Sequence, residues 1–212
     1  MNVIGFAGCA RGGKTTAARC MRDWVVDHGM RPIIHSFASP MKRAAERIGL
    51  SKEKDPDRYR STLQRWGESR RNPDYKQGVT GPDYWVGRAI FDLLEYQLSE
   101  RRLYDSLDHM MLNSSHKEVV VLIDDLRYPN EVEMVEMMGG VTIFIDGSGR
   151  IKDMDAPYRQ HESEKMAMDY TNGKIPDLFD FTILNNKSPL MINSMLMTQI
   201  RMLIVAIAPI KM

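Results

Sequence analysis

The chain has 212 residues, a length that suits one domain with a core of its own. Hydrophobic residues make up 43% of it and charged residues 27%, which excludes a fibrous or intrinsically disordered composition. Lys and Arg number 29 and Asp and Glu 28, so the net charge of +1 argues against the basic surface of a nucleic-acid-binding protein.

Cysteine content and hydropathy favour a cytoplasmic protein without a membrane partner. Two cysteines, Cys9 and Cys20, are too few for a disulfide framework. No basic leader precedes the first apolar residues, and the longest apolar run, 202–210, is far shorter than the roughly 20 residues of a membrane helix.

Strand and helix patterns alternate along the chain. The predicted strands are 3–7, 32–37, 119–123, 141–145 and 181–184. The predicted helices are 14–28, 39–48, 57–71, one that follows Asp83 and includes 86–98, 129–138, 161–168 and 189–207, and a less regular helical pattern resumes after 98 and continues to about 112. This alternation predicts an α/β fold of three layers, with a parallel sheet of about five strands between helices.

Two helices carry specific predictions. Ser39 followed by Pro40 is the signature of an N-cap and a proline at the first helical position. In the helix after Asp83, the apolar stripe is predicted to comprise Val86, Ile90, Leu94 and Leu98.

The segment from Gly8 to Thr15 fits the phosphate-binding pattern G-x-x-x-x-G-K-[ST] at every fixed position. An apolar strand precedes it and a helix follows, so a chance match of a glycine-rich turn is the weaker interpretation. Backbone N–H groups of such a loop bind phosphate oxygens, Lys14 would bridge the β- and γ-phosphates, and the Thr15 hydroxyl would ligate Mg²⁺. The predicted nucleotide-binding residues are Gly8, Arg11, Gly12, Gly13, Lys14, Thr15 and Thr16.

Asp124 and Asp125 follow the apolar strand 119–123 and are candidate ligands of the Mg²⁺ hydration shell. Alternation along a strand would send the two carboxylates to opposite faces, so the sequence leaves open which of them faces the metal.

Arginines and lysines are abundant between Lys42 and Arg71, and for most of them a solvated helical face is the simpler explanation. A subset would serve a monophosphate acceptor, which needs guanidinium clamps. Trp85 and Arg88, three residues apart on one helical face, could border a base and a phosphate.

Further along the chain, two groups of residues suggest parts of the transfer site. Arg127, two residues after Asp125, and Arg150 and Arg159 in a polar insert are candidates for neutralising the transferred phosphoryl group. The segment from His161 to Glu164 is interpreted as a helix start with local capping.

Seven segments resemble, in order, those of the bacteriophage deoxynucleoside monophosphate kinases, relatives of adenylate kinase among the P-loop kinases. They are Gly8–Thr15, Phe37–Lys42, Leu63–Glu68, Trp85–Val86, Asp124–Glu131, Gly139–Gly140 and His161–Glu164. The resemblance covers residues 3 to 187 and implies an adenylate-kinase-like core, an acceptor-binding helical region at 36–100 and a lid at about 146–165.

The resemblance also implies ATP as donor, Mg²⁺, and a deoxynucleoside monophosphate (dNMP) as acceptor in phage nucleotide metabolism. It places Arg127 at the phosphates near the metal, and Asn185 in the loop on the adenine side. It assigns Ser36, Lys42, Gln64, Arg65, Glu68 and Arg70 to the acceptor pocket.

A dNMP kinase is thus the leading hypothesis. One alternative is another small-molecule P-loop kinase, for example one acting on dephospho-coenzyme A. The other is a P-loop NTPase without a small acceptor, such as a switch or a DNA-packaging accessory protein. The sequence leaves monomer and homodimer both open, and it does not say which bases are accepted.

Overall fold

The computed structural model describes residues 2–74, 80–108, 118–147 and 161–185, together with positions 198 and 202. The chain divides into two compact units, of which the first comprises residues 1–35 and 117–212 and the second residues 36–116. In chain order the helices are α1 (Lys14–Asp27), α2 (Ser39–Arg47), α3 (Pro56–Arg71), α4 (Tyr84–Asp108), α5 (Pro129–Met137) and α6 (Glu162–Thr171). The strands are β1 (Asn2–Ala7), β2 (Arg31–His35), β3 (Val119–Leu126), β4 (Val141–Asp146) and β5 (Phe181–Leu184).

The first unit is built on a parallel five-stranded sheet with the order β2-β3-β1-β4-β5. The central strands consist mainly of apolar residues, Val3–Ala7 in β1 and Val119–Ile123 in β3, because both of their faces are covered, as is usual for parallel sheets. The α/β fold with a five-stranded parallel sheet is therefore confirmed.

Helices cover both faces of the sheet. Ala17, Met21 and Val25 of α1 pack in one apolar cluster with Phe6 and Leu122 from the central strands. On the opposite face α5 approaches β1 so closely that a Cβ on Gly5 would stand 3.1 Å from a methyl group of Val135. The first unit thus has the three predicted layers, and its core lies on both sides of β1 and β3.

Strand β3 contains an irregularity at its carboxyl end. Gly5 of β1 pairs with Ile123, but Ala7 pairs with Leu126, so β3 carries one extra residue between the two pairs. The extra residue falls at Asp124 or Asp125, both of which are buried. A bulge of this kind redirects side chains locally, and here it interrupts the alternation on which the sequence-based argument about the two acids depended.

Several predicted boundaries shift. β2 ends at His35, because the Ser36 carbonyl accepts from the N–H of Ser39 in a turn. The N-cap of α2 is Ala38, one residue before the predicted Ser39, which already lies in the helix. The predicted helix 189–207, apart from positions 198 and 202, and residues 148–160 of the predicted lid lie outside the described residues. The ends of that lid range belong to β4 and α6.

The second unit consists of helices α2, α3 and α4. The indole N–H of Trp85 donates to the carbonyl of Gly67 at 3.0 Å, and Gly67 is the one buried residue of α3. A Cβ on Gly67 would stand 3.2 Å from the Arg71 guanidinium and 3.7 Å from the Met41 sulfur, so α3 packs closely at this position. None of the described helices, α4 with its 25 residues included, combines the length and the apolar character needed to cross a bilayer.

The predicted apolar stripe of α4 is wrong by one position. Trp85, Ala89 and Leu93 are buried, whereas Leu94 and Leu98 are more than half exposed. Both stripes have helical spacing, and the hydrogen bond of Trp85 to α3 decides which of them faces inward.

Two adjacent leucines, one buried and one exposed, test which face of α4 packs inward. We expect Leu93→Ala to lower the free energy of unfolding by about 2–4 kcal/mol, because it leaves a cavity in the second unit. Leu94→Ala, the matched control on the exposed side, should change it by less than about 0.5 kcal/mol. Urea unfolding followed by circular dichroism measures both, and the reverse ranking would contradict the packing described here.

Candidate active site

Glycines shape the phosphate loop between β1 and α1. Gly8 and Gly13 have φ angles of 138° and 109°, a region that residues with a Cβ rarely adopt. A Cβ on Gly8 would collide with the Ile145 carbonyl, and one on Gly13 with the side-chain amide of Asn185. Arg11 is the one described residue other than glycine with a positive φ, 64°. The loop is therefore tightly curved and packed against the ends of β4 and β5.

The N-terminus of α1 opens onto this loop without a capping side chain. Its N-cap is Gly13, no side chain accepts from the first turn, and that turn contains no acidic residue. The first N–H groups of a helix have no partner within it and carry a partial positive charge. This end of α1 is thus suited to an anion.

Lys14 lies inside the loop, with only 7% of its surface exposed. Its ammonium group donates to the carbonyl oxygens of Gly8 at 2.5 Å and Cys9 at 3.0 Å. Burial, followed by the positive charge of Arg127, lowers the pKa of Lys14 from 10.5 to about 8, although Glu164 and Asp125 act in the opposite direction.

The Thr15 hydroxyl donates to Oδ2 of Asp124 at 3.1 Å. The structure therefore brings together two of the three predicted metal ligands and places Asp124, rather than Asp125, next to Thr15. Asp125 lies close enough for its charge to raise the pKa of both Lys14 and Arg127. Owing to the bulge in β3, both acids act on the same site.

Arg127 is fixed by two buried glutamates. Its backbone N–H and that of Tyr128 donate to Glu131 at 2.7 and 3.2 Å, which joins the end of β3 to the start of α5. Its guanidinium donates to Oε1 of Glu164 at 2.5 Å. Burial alone would lower the pKa of Arg127, but Glu164, Asp125 and Glu131 outweigh it and raise the pKa, so the side chain stays charged.

The segment from His161 to Glu164 forms the predicted helix start with a local cap, and Glu164 has a further contact that the sequence does not indicate. His161 is the N-cap of α6, as expected, and its ring nitrogen accepts from the Ser163 N–H at 3.1 Å. Glu164 takes no part in this cap, since its Oε2 accepts from the Ala10 N–H of the phosphate loop at 2.6 Å. Ala10 and Glu164 are 154 residues apart, and no local pattern could have revealed this contact.

Asn185 contacts the phosphate loop directly. Its side-chain amide donates to the Gly12 carbonyl at 2.7 Å, and its backbone N–H donates to the carbonyl of Asp146 at the end of β4. The residue is buried. The resemblance places Asn185 in the loop on the adenine side. In this structure its side-chain amide supports the phosphate loop.

The predicted acceptor residues of the second unit fall into three groups. Lys42 donates to the buried Ser36 hydroxyl at 3.0 Å, so these two meet. Arg70 and Arg88 line a common cavity of about 700 Å³. Three further residues lie on α3, where Gln64 is half-buried and Arg65 and Glu68 are exposed.

Trp85 does not fit the predicted role beside a base. It is buried, and its N–H is bonded to Gly67, so its ring is part of the core. Its neighbour Tyr84 lines the cavity instead, with the Arg70 guanidinium 5.5 Å from the centre of its ring. The sequence does not distinguish Tyr84 from Trp85, two adjacent aromatic residues at the start of one helix, and only the packing shows which of them lines the cavity. Arg150 and Arg159 lie outside the described residues.

No family model matches the chain. A protein of Acanthamoeba polyphaga mimivirus named "Putative deoxynucleotide monophosphate kinase" is 27% identical over 175 residues, which cover 74% of this chain and 80% of the relative. This match confirms the resemblance to viral deoxynucleoside monophosphate kinases. Because the relative comes from a mimivirus, the bacteriophage origin stays a prediction.

Two solved shikimate kinases show more distant similarity. The enzyme of Acinetobacter baumannii, in complex with shikimate, gives a TM-score of 0.45 at 13% identity, with 97% of this chain and 94% of that chain covered. That of Bacteroides thetaiotaomicron gives 0.41 at 12% identity, with 95% and 98% covered. Nothing about substrate follows from either.

The lowered pKa of Lys14 predicts a pH-dependent stability in the absence of nucleotide. The unfolded chain holds this proton up to pH 10.5 and the folded protein only to about 8, so the charge penalty is complete below pH 8 and disappears as the pH rises to 10.5. Relative to Lys14→Met, the wild type should therefore gain on the order of 1–2 kcal/mol in free energy of unfolding between pH 7 and 9.5. Urea titrations of both proteins measure this gain, and a constant difference would contradict it.

Proposed function

We propose that the protein is an ATP-dependent kinase of deoxynucleoside monophosphates, which transfers the γ-phosphate of ATP, with Mg²⁺, to the acceptor phosphate and yields dNDP and ADP. The observation that carries the donor half of this proposal is the arrangement of Lys14, Thr15 and Asp124 at the uncapped start of α1. A buried ammonium group and a hydroxyl–carboxylate pair stand there beside a helix N-terminus.

The donor set fits Mg²⁺ and a polyphosphate. The Thr15 hydroxyl and the Asp124 carboxylate offer hard oxygens, which Mg²⁺ prefers, and Mg²⁺ bound through few protein oxygens takes its other ligands from phosphate and water. Bound there, Mg²⁺ would neutralise charge on the phosphates. Gly8, Gly12 and Gly13 allow the backbone to pass close to phosphate oxygens.

Lys14 and Arg127 are the cations that would face the transferred group. Phosphoryl transfer depends mainly on positioning and on neutralising negative charge, and both side chains are already held in place by hydrogen bonds. The Lys14 ammonium would exchange the carbonyl oxygens of Gly8 and Cys9 for phosphate oxygens. Such anions also favour its protonated form, because they offset the burial that lowers its pKa.

The acceptor half rests on the second unit and on the mimivirus relative. Arg70, Arg88 and Tyr84 combine two guanidinium groups and a half-buried aromatic ring around one cavity, a set that suits a phosphate and a base. Its volume lies in the range of small-molecule sites. The relative's name specifies a deoxynucleotide monophosphate, and the same acceptor is proposed here.

A coupled assay of ADP formation tests the proposal. The purified protein with Mg²⁺ and ATP is given each of the four common dNMPs, dephospho-coenzyme A, and no acceptor. ADP formation above the blank with at least one dNMP supports it. Activity with dephospho-coenzyme A alone would point to another small-molecule kinase, and hydrolysis that no acceptor stimulates would point to an NTPase without a small acceptor.

Removing the ammonium group at the centre of the loop should abolish most of the transfer. We expect Lys14→Ala to lower kcat by a factor on the order of 100–1,000, because the transferred phosphate loses its main side-chain cation. Lys165→Ala removes an exposed lysine of α6 and should leave turnover unchanged. Wild-type turnover of purified Lys14→Ala would refute the role of Lys14.

The acceptor cavity makes a separate prediction. Arg70→Ala should raise KM for the dNMP by roughly tenfold and leave KM for ATP unchanged, because the guanidinium would bind only the acceptor. Arg47→Ala, at an exposed position of α2, is the control. A rise in KM for ATP alone would show that the cavity does not bind the acceptor.

A further inference from the structure

Glu164 connects three distant parts of the first unit. It lies in the first turns of α6, is only 3% exposed, and uses a different carboxylate oxygen for each partner. One oxygen accepts from the Ala10 N–H of the phosphate loop at 2.6 Å and the other from the Arg127 guanidinium at 2.5 Å. Neither contact is needed to start α6, since His161 already provides its cap.

We propose that Glu164 is a positioning residue, which holds the Arg127 guanidinium in a fixed place relative to the phosphate loop, so that Arg127 is preset for the phosphates bound there. This inference rests on the proposed function, because it assigns Arg127 to the phosphates of the donor. Glu164 itself is expected to touch neither nucleotide nor metal.

Electrostatics explain why a carboxylate is required. The charge of Arg127 adds to the burial that lowers the pKa of Lys14, whereas the charge of Glu164 acts in the opposite direction on Lys14 and raises the pKa of Arg127. Arg127 remains about one-third exposed at its side chain, whereas Glu164 is almost completely enclosed. An anchored anion can therefore restrain a long side chain that would otherwise sample several rotamers.

The two acceptor functions of Glu164 cannot be supplied by an amide. Glutamine in the same place offers one oxygen and one NH₂ group, and the NH₂ group would face a donor, either the Ala10 N–H or the guanidinium. Aspartate keeps the charge but is one methylene shorter and cannot span both partners without movement of α6. Glu164→Gln therefore tests the need for the negative charge, and Glu164→Asp tests the need for the length of the side chain.

If Glu164 competed with phosphate instead of positioning Arg127, its replacement would change the affinity for nucleotide in the opposite direction. A carboxylate that competed with phosphate for the loop and for Arg127 would weaken nucleotide binding, and its removal would tighten it. The enclosure of Glu164 and its direct bond to the loop backbone favour positioning instead.

A double-mutant cycle tests the proposal. Calorimetry measures the affinity of a non-hydrolysable ATP analogue with Mg²⁺ for the wild type, Glu164→Gln, Arg127→Gln and the double variant, and steady-state assays give kcat and KM for ATP. Glu164→Gln should weaken analogue binding about tenfold and lower kcat further. In the Arg127→Gln background, adding Glu164→Gln should weaken analogue binding by less than about a further twofold, because Glu164 acts through Arg127.

Controls separate this role from general support of the fold. Glu162→Gln removes an exposed carboxylate from the same turn of α6 and should leave affinity and kcat unchanged. Glu164→Asp should recover part of the affinity lost in Glu164→Gln, and thermal unfolding shows whether each variant is folded. If Glu164→Gln does not fold, the cycle is run with Glu164→Asp.

The proposal would be overturned if the loss of analogue affinity in the double variant equalled the product of the losses in the two single variants. Tighter analogue binding by Glu164→Gln would also overturn it. The binding measurements need no acceptor. If the wild type binds the analogue but phosphorylates no dNMP, the proposed function fails while the cycle still decides the role of Glu164. A wild type that binds no analogue would overturn both.

Discussion

Enclosing the Lys14 ammonium beside a second cation, Arg127, is the electrostatic cost that the phosphate loop has to offset, because burial and the charge of Arg127 both lower the pKa of Lys14. Oxygen atoms offset both charges, since the Gly8 and Cys9 carbonyls accept from the ammonium and the Glu164 carboxylate accepts from the guanidinium. The balance is incomplete, since the pKa of Lys14 still falls. A polyphosphate would supply the missing negative charge, so the loop is built to be most stable when occupied.

The loop is held from outside as well as by its own turns. Asn185, after β5, binds the carbonyl of Gly12, and Glu164 of α6 binds the N–H of Ala10. Gly147, just past β4, lies so close to Gly12 that a Cβ there would stand 2.6 Å from the Gly12 Cα. Elements from the last third of the described chain therefore fix the shape of a loop near its start, which keeps the backbone donors in place before any ligand arrives.

Local patterns predicted most of the sheet and the loop, and contacts between distant residues account for what they missed. Apolar runs such as 119–123 and 141–145 gave the buried strands, and the spacing from Gly8 to Thr15 gave the loop. The face of α4 could not be predicted, because two apolar stripes compete and the hydrogen bond from Trp85 to Gly67 selects one. The contacts of Glu164 and Glu131 could not be predicted from local patterns, because the partners of Glu164 are 154 and 37 residues away in the chain and those of Glu131 are backbone N–H groups.

The extra residue in β3 has an evolutionary consequence. Because it interrupts a central strand rather than a loop, the pairs with β1 on either side of it fix where the backbone of Asp124 and Asp125 departs from regular strand geometry. Deleting one of the two acids would restore regular pairing, with Leu126 still opposite Ala7, and would remove both a carboxylate and the bulge that brings the two acids to one site. Natural variation in length should therefore be tolerated on the surface loops and rejected within these few positions, whatever the identity of the acceptor.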